Sequence, residues 1–395
     1  MNILIIPSWY PSADEPHTGI FFKEQALIYA QYFPEDKLAL AHWGPNVHDS
    51  LFAIKDIQSW PNKILGHGQK TSSKVELTTN CAEYYQPRMT WTRKVLGGNV
   101  KSHIVASLQS LSQFENDHGK VDLIHAHVGY PGGFVAMKLS EKLRVPYMVT
   151  EHMGPFPFPA FQRNRNPVKE LIEPLLKAGK VLSVSENLRQ TLSQYNIESE
   201  VFHNFIDETS FQVASSPNEI FTFVHVGRLS PEKGQDILLK ASSKLRGNFR
   251  LVIVGDGPIK EELESLSKDL DINHKIELKG TLSREGVQRV LESANAFVLP
   301  STYENFPVAV MEALASGLPV IGSEVGGLPQ IITKSNGVLV QPGSVDALTS
   351  AMQLVIDKKV SFDGQSIRSD FINRFGSQEA SLKLRSHYQN LLENS

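Results

Sequence analysis

The sequence predicts an α/β protein of two domains, each organised on a sheet of parallel strands. Three observations carry this. At 395 residues the chain exceeds what one hydrophobic core usually supports. Short apolar runs bounded by Gly and Pro alternate with longer helix-forming segments, the pattern of strands joined by helical crossovers. A polar, turn-rich stretch from Glu208 to Asn218, with Ser215, Ser216 and Pro217, separates two runs of such units.

Composition narrows the class. An apolar fraction of 41% and a charged fraction of 21% are those of an ordinary globular protein. The net charge of -3 offers no whole-chain basic field, so nucleic acid is not an expected partner. Cys81 is the only cysteine, which excludes an internal disulfide framework and fits a reducing compartment. The opening MNILIIPSWYPS has no basic residues before its apolar run, and that run is too short for a signal peptide or a membrane span. The expected location is the cytoplasm, with contact to the inner membrane face left open.

In the first half, Asn2 to Pro7 reads as a buried strand entering a loop, Ser8 to Thr18, rich in Pro, Ser and acids. Gly19 precedes a helix-forming segment, Ile20 to Tyr32. Such a strand, glycine-bearing loop and helix can form a phosphate pocket at the strand's carboxyl end, or an ordinary connection. The loop lacks the three glycines of a dinucleotide fingerprint. Lys37 to His42 and Lys74 to Thr79 are expected strands, and Thr90 to Phe114 an expected long helix. Arg88, Arg93, Lys94, Lys101 and His103 gather near its start. They read as a solvated face or as a basic patch for anionic lipid or a lipid-linked diphosphate.

Val121 to Ala126 and Val145 to Thr150 are further strands. His125 and His127 flank the end of the first, and Glu151 and His152 follow the second. The carboxyl ends of parallel strands are where open α/β sheets bind ligands, although histidines there also serve structure. Gly129, Pro131, Gly132 and Gly133 turn the chain into the next helix. Gly154 to Pro167, with Arg163 and Arg165, is a long irregular stretch of the kind that borders a binding site. Val181 to Val184 is a strand, and Ser185-Glu186-Asn187 a helix cap.

In the second half the expected strands are Phe221 to Gly227, Arg250 to Gly255, Lys275 to Gly280, Asn295 to Pro300 and Pro319 to Gly322. The loop V-G-R-L-S-P-E-K-G sets Gly227, Arg228 and Lys233 between a strand and a helix, where two cations can neutralise a diphosphate. G-D-G-P, Gly255 to Pro258, is a weak dinucleotide signal. The tail from Arg374 to Leu392 has helical periodicity.

The most informative stretch is Phe297 to Gly317. Phe297-Val298-Leu299 is a buried strand, Thr302 to Asn305 a polar loop carrying Glu304, and Val308 to Ala315 a helix. Pro307 suits the first helical position, and Gly317 the residue past the helix end. The helix N-terminus attracts anions. Glu304 before it and Glu312 within it suit a ligand with hydroxyls beside its phosphates, although two solvated acids fit the same spacing.

Glu304, seven intervening residues and Glu312, within S-T-Y-E-N-F-P-V-A-V-M-E-A-L-A-S-G, closely resemble the signature of retaining glycosyltransferases of family 4. V-G-R-L-S-P-E-K-G, D-L-I-H-A-H, T-E-H and F-H-N-F-I-D resemble further motifs of that family. The resemblance covers nearly the whole chain and is strongest from Phe221 to Gly343. It implies the GT-B architecture, two Rossmann-like doubly wound domains facing a central cleft. Residues 1–208 would bind the acceptor and 219–373 the nucleotide sugar, and 374–395 would cross back to the first domain as a helix.

The resemblance also implies roles. The donor, a nucleoside-diphosphate sugar, would be held by Gly19, Gly227, Arg228, Lys233, Glu304, Asn305, Phe306, Pro307, Val308 and Glu312. Glu304 would contact the sugar and Glu312 the ribose. Glu304, His127, Arg228 and Lys233 form the expected catalytic set, and His152 would line the acceptor side. No metal and no further cofactor is expected, since Arg228, Lys233 and helix N-termini supply positive charge. The acceptor would be a glycan or a lipid-linked molecule in bacterial surface polysaccharide or glycolipid assembly. An epimerase or hydrolase of the same architecture, and a sugar-nucleotide sensor without turnover, are the alternatives. The chain departs from the family pattern at Pro307 and Phe205, where glycine is usual, and at Gly19-Ile20, where two glycines are common.

Overall fold

The computed structural model describes residues 1–11, 18–43, 71–88, 100–164, 166–213 and 220–395. The chain divides into two compact units. The first comprises Met1–Val184, Leu188–Phe202 and Gln378–Ser395, and the second Ser185–Asn187 and His203–Ser377.

The first unit is built on an eight-stranded sheet. In chain order its strands are β1 (Asn2–Pro7), β2 (Lys37–His42), β3 (Ser73–Glu76), β4 (Cys81–Tyr85), β5 (Leu123–His127) and β6 (Tyr147–Glu151). A separate two-stranded hairpin, β7 (Gln162–Arg163) and β8 (Asn166–Pro167), precedes β9 (Lys180–Ser183) and β10 (Glu200–Val201). The sheet order is β10-β9-β6-β5-β1-β2-β4-β3, parallel except for the β3–β4 pair. β1 is apolar throughout its centre and β5 is buried along its length, as expected where helices cover both faces; Ile3, Leu4, Ile6, Leu123 and Ile124 have no exposed surface.

Three expectations are corrected here. The strand expected over Lys74 to Thr79 is a four-residue exposed edge, Ser73–Glu76, and the strand that joins the parallel core is Cys81–Tyr85. Cys, Ala and Glu hide it from an apolar-run reading, although its inward positions are buried. The long helix runs Val100–His118, four residues beyond Phe114. Arg93, Lys94 and Arg165 lie outside the described residues, as do 214–218 of the expected linker. His103 is buried and stacked on Trp43, with centroids 4.6 Å apart and planes 9° from parallel, so it does not belong to a solvated basic face.

The final helix, Ser377–Glu393, is amphipathic and packs within the first unit. Tyr388 is buried and its hydroxyl lies 2.8 Å from His125 Nδ1. Arg385 pairs with Glu35 at 2.6 Å and lies over the Phe33 ring. No helix among the described residues is long and apolar enough to cross a membrane.

The second unit is a six-stranded, all-parallel sheet. Its strands are β11 (Phe221–Val226), β12 (Phe249–Val254), β13 (Ile276–Gly280), β14 (Ala296–Leu299), β15 (Val320–Ser323) and β16 (Gly337–Val340). β16 is an addition to the sequence reading. The order β13-β12-β11-β14-β15-β16 is that of a doubly wound dinucleotide-type sheet. Phe223, Leu238, Leu251, Ile253, Val298, Ile321, Leu348 and Met352 form its core. The chain reverses its winding between β11 and β14. The loops after those two strands lie side by side at this switch point, the usual ligand position of such sheets.

Candidate active site

The two loops at this switch point carry the sequence-predicted residues. After β11 come Gly227, Arg228 and a short turn, Pro231–Lys233, closed by Gly234. Gly234 has φ +69°, and a Cβ there would lie 2.3 Å from the Pro300 carbonyl oxygen. Only glycine lets this turn sit against the end of β14. The Thr302 N–H donates to the Glu232 carbonyl at 2.8 Å and ties the loops together.

The result is an ion pair. Lys233 Nζ stands 2.6 Å from Glu304 Oε1, and Ser301 Oγ donates to the same oxygen at 2.8 Å. Glu304 is buried, whereas Arg228 is exposed. The loop bearing Glu304 is seated from below by Gly326 and Gly327. A Cβ on Gly326 would lie 1.6 Å from the Glu304 carbonyl oxygen, and one on Gly327 2.1 Å from that of Asn305.

G-D-G-P serves the same platform. A Cβ on Gly255 would lie 1.9 Å from the Gly227 carbonyl oxygen, and one on Gly257 2.2 Å from that of Leu229. The glycines let β12's end support the Arg228 loop, which accounts for them without a dinucleotide.

Pro307 is the cap residue, φ -74° and ψ 121°, one place before the expected first helical position; the helix is Val308–Ala315. A residue with extended ψ ends the polar loop there, and its missing N–H still costs no helical bond. Gly317 follows with φ +72°. The Phe306 ring is buried against His203, 4.3 Å between centroids, and Phe375, and its carbonyl accepts from Asn204 Nδ2 at 3.0 Å. Its side chain is therefore a core anchor. Asn305 Oδ1 accepts from the Tyr303 hydroxyl at 2.8 Å. Val308 is half-buried.

Glu312 is buried and paired with Arg284 Nη1. Arg284 opens the helix Arg284–Glu292, and its guanidinium lies 5.0 Å from the Phe211 ring centroid. The sequence reading missed Arg284, because nothing in R-E-G-V points to a partner 28 residues away. Each expected acid thus has its own cation: Glu304 with Lys233, and Glu312 with Arg284.

In the first unit, the end of β1 meets the end of β5, again a switch point in the sheet order. Ser8 Oγ donates to the His127 carbonyl at 2.7 Å and accepts from the Gly132 N–H at 2.9 Å. Gly19, φ +69°, precedes the helix Ile20–Tyr32 and lies against Trp9; a Cβ there would meet the Trp9 carbonyl oxygen at 2.7 Å. Phe22 packs 4.6 Å from the His127 ring.

His127, of the expected catalytic set, and His152, expected on the acceptor side, form one pair: His127 Nδ1 lies 3.1 Å from His152 Nε2. Burial, with His125 and His152 nearby, holds the His127 pKa well below its ordinary value, so the ring is neutral. His125 is a structural residue, between Tyr388 and Thr150 at 2.8 Å each. Glu151 is buried and accepts N–H bonds from Gly129, His152 and Met153. Burial pushes its pKa up to about 7 against the pull of those bonds.

Comparison with known proteins agrees. Residues 206–374 match the family described as glycosyl transferases group 1, and residues 86–210 match glycosyltransferase family 4. The putative teichuronic acid biosynthesis glycosyltransferase TuaC of Bacillus subtilis is 32% identical over 380 residues, 89% of this chain and 88% of that protein. Among solved structures, sucrose-phosphate synthase from Thermosynechococcus elongatus is similar with a TM-score of 0.78 and 19% identity, covering 100% of this chain and 99% of that one. HepE of Anabaena, solved in complex with UDP, is similar with a TM-score of 0.72 and 17% identity, covering 99% and 100%. The molecule is a glycosyltransferase. It belongs to glycosyltransferase family 4 and has the GT-B fold of two Rossmann-like units.

Proposed function

We propose that this glycosyltransferase moves a sugar from a nucleoside diphosphate to an acceptor hydroxyl with retention of anomeric configuration. The observation that carries the reading is the Lys233–Glu304 pair at the β11/β14 switch point, with the exposed Arg228 on the same loop. An arriving diphosphate competes for Lys233 and adds Arg228 as a second cation. Glu304 is then released from its ammonium and accepts hydrogen bonds from sugar hydroxyls. Glu312 does the same for the ribose.

Charge on the departing diphosphate grows as the C1–O bond breaks. Arg228 and Lys233 therefore bind the transition state better than the ground state, which is the requirement for catalysis. The acceptor oxygen forms its bond to C1 on the face from which the phosphate leaves. The acceptor's proton passes to the departing phosphate oxygen. In the first unit, His127 keeps the catalytic role implied by the family resemblance, with burial holding its imidazole neutral. The fixed cations and helix N-terminus supply the positive charge, and the reading requires no metal or further cofactor.

HepE is solved with UDP, and the name of TuaC places that protein in teichuronic acid biosynthesis. The first agrees with a nucleoside-diphosphate donor and the second with a glycan acceptor in surface-polymer assembly; a lipid-linked glycan is the other form such an acceptor takes. A lipid-linked acceptor would bring the protein to the inner membrane face. The test is a thermal-shift screen against UDP-, GDP-, ADP- and dTDP-sugars, followed by NMR of the product. One donor class should raise the melting temperature, because a ligand bound only by the folded state stabilises it. The product should keep the donor's anomeric configuration. An inverted product, or no shift with any donor, would refute the proposal.

A further inference from the structure

The loop that bears Arg228 is held from beneath by two buried polar residues that no motif contains. His225, in β11, has no exposed surface, and neither has Gln235, the first residue of the helix Gln235–Ser243. His225 Nδ1 lies 2.9 Å from the Val298 carbonyl oxygen of β14. That oxygen only accepts, so Nδ1 carries the proton and Nε2 is left as an acceptor. Gln235 Nε2 lies 3.0 Å from His225 Nε2 and 2.8 Å from the Arg228 carbonyl oxygen. Both of its N–H bonds are thereby assigned, one to each acceptor, and the amide orientation is fixed. Gln235 Oε1 has no partner among the described residues. The side chain thus leaves a buried acceptor unsatisfied in order to hold Arg228, which a purely apolar residue of this size would avoid.

The chain of contacts runs from the β14 carbonyl, through His225 and Gln235, to the backbone of Arg228. It joins the two strands of the switch point and ends at the residue whose side chain faces solvent. We infer that His225 and Gln235 are positioning residues that set the Arg228 loop at the height needed to meet a nucleoside diphosphate. This rests on the donor reading above. The pair touches no ligand and acts only through the loop. Burial keeps His225 neutral, with its pKa lowered to about 4, so the relay persists across the physiological range.

Calorimetric titration with UDP, GDP, ADP and dTDP, and with the matching nucleoside monophosphates, tests this. Gln235→Met and His225→Leu each remove hydrogen bonds but keep bulk. Each should weaken the bound diphosphate by about tenfold or more while changing monophosphate affinity by less than about threefold. His225→Gln can donate to Val298 and accept from Gln235, and should restore diphosphate affinity to within about threefold. Diphosphate affinity unchanged in both Gln235→Met and His225→Leu would overturn the inference. Equal weakening of monophosphate and diphosphate would also overturn it, since that marks general damage to the unit. Failure of both variants to fold would assign the pair to core stability instead and overturn it too. Wild-type protein that binds none of the diphosphates would overturn the donor reading and the inference with it.

Discussion

Lys233 and Glu304 lie 71 residues apart in sequence and 2.6 Å apart at the switch point between β11 and β14. Glu304 is buried, and the Ser301 hydroxyl donates a second hydrogen bond to the same oxygen. Lys233→Ala should leave a buried carboxylate without its cation and cost about 1–3 kcal/mol of stability. Lys233→Ala with Glu304→Ala should recover part of that loss. Urea unfolding of the two single variants and the double variant checks it. Strict additivity of the two losses would remove the pair from the stability account.

Gly326→Ala should damage both fold and activity. Its φ is +55°, and the new Cβ would lie 1.6 Å from the Glu304 carbonyl oxygen. The substitution must move the Glu304 loop or strain the turn, at a cost of about 2 kcal/mol or more. Transfer should fall by more than about tenfold, and the melting temperature should drop. Wild-type values for both would contradict the packing described.

Glu312→Ala should separate binding from chemistry. Glu312 is assigned to the ribose, away from the bond that breaks. The donor KM should rise by about tenfold with kcat changed by less than about threefold. Steady-state kinetics with the donor found by screening gives the answer. A kcat loss as large as that of Glu304→Ala would place Glu312 at the reacting centre instead.

Stability should fall on acidification through the histidine range. Burial lowers the pKa of His42 and His225 to about 4 and of His103 and His125 to about 3, and His127 is also well below its ordinary value. The unfolded chain binds protons at these sites near pH 6.5, so it binds more than the folded chain between about pH 6.5 and 4. Folding is therefore most favoured above that window and loses stability as pH falls through it. Glu151 opposes this, because its raised pKa makes the folded state bind the extra proton between about pH 4.5 and 7. The histidines outnumber it. Unfolding free energies measured from pH 7.5 to 4.5 should fall steadily, and His225→Gln should flatten the slope by about one proton. A constant free energy across this range would be incompatible with neutral buried rings.

Much of the second unit was legible because its chemistry is local. Strand, cation-bearing loop, acid and helix follow one another within Phe221 to Lys233 and Phe297 to Gly317, and each obeys a short-range rule of hydrophobic run, turn residue or cap. Arg284, His225 and Gln235 were not legible, because their roles depend on partners brought near by the sheet order rather than by spacing. Pro307 stands one place earlier than expected because a proline suits both the cap and the first helical turn, and its ψ of 121° makes it the cap. In the first unit, Cys81–Tyr85 lacked an apolar run, and the contact of His127 with His152 joins the ends of two strands that only the sheet makes neighbours.

The most direct test of the central claim is a crystal structure of the protein with its nucleoside-diphosphate sugar. The account predicts phosphate oxygens within hydrogen-bonding distance of Arg228 and Lys233, the Glu304 carboxylate on sugar hydroxyls and Glu312 on the ribose. A donor bound away from these four side chains, with Lys233 still paired to Glu304, would contradict it.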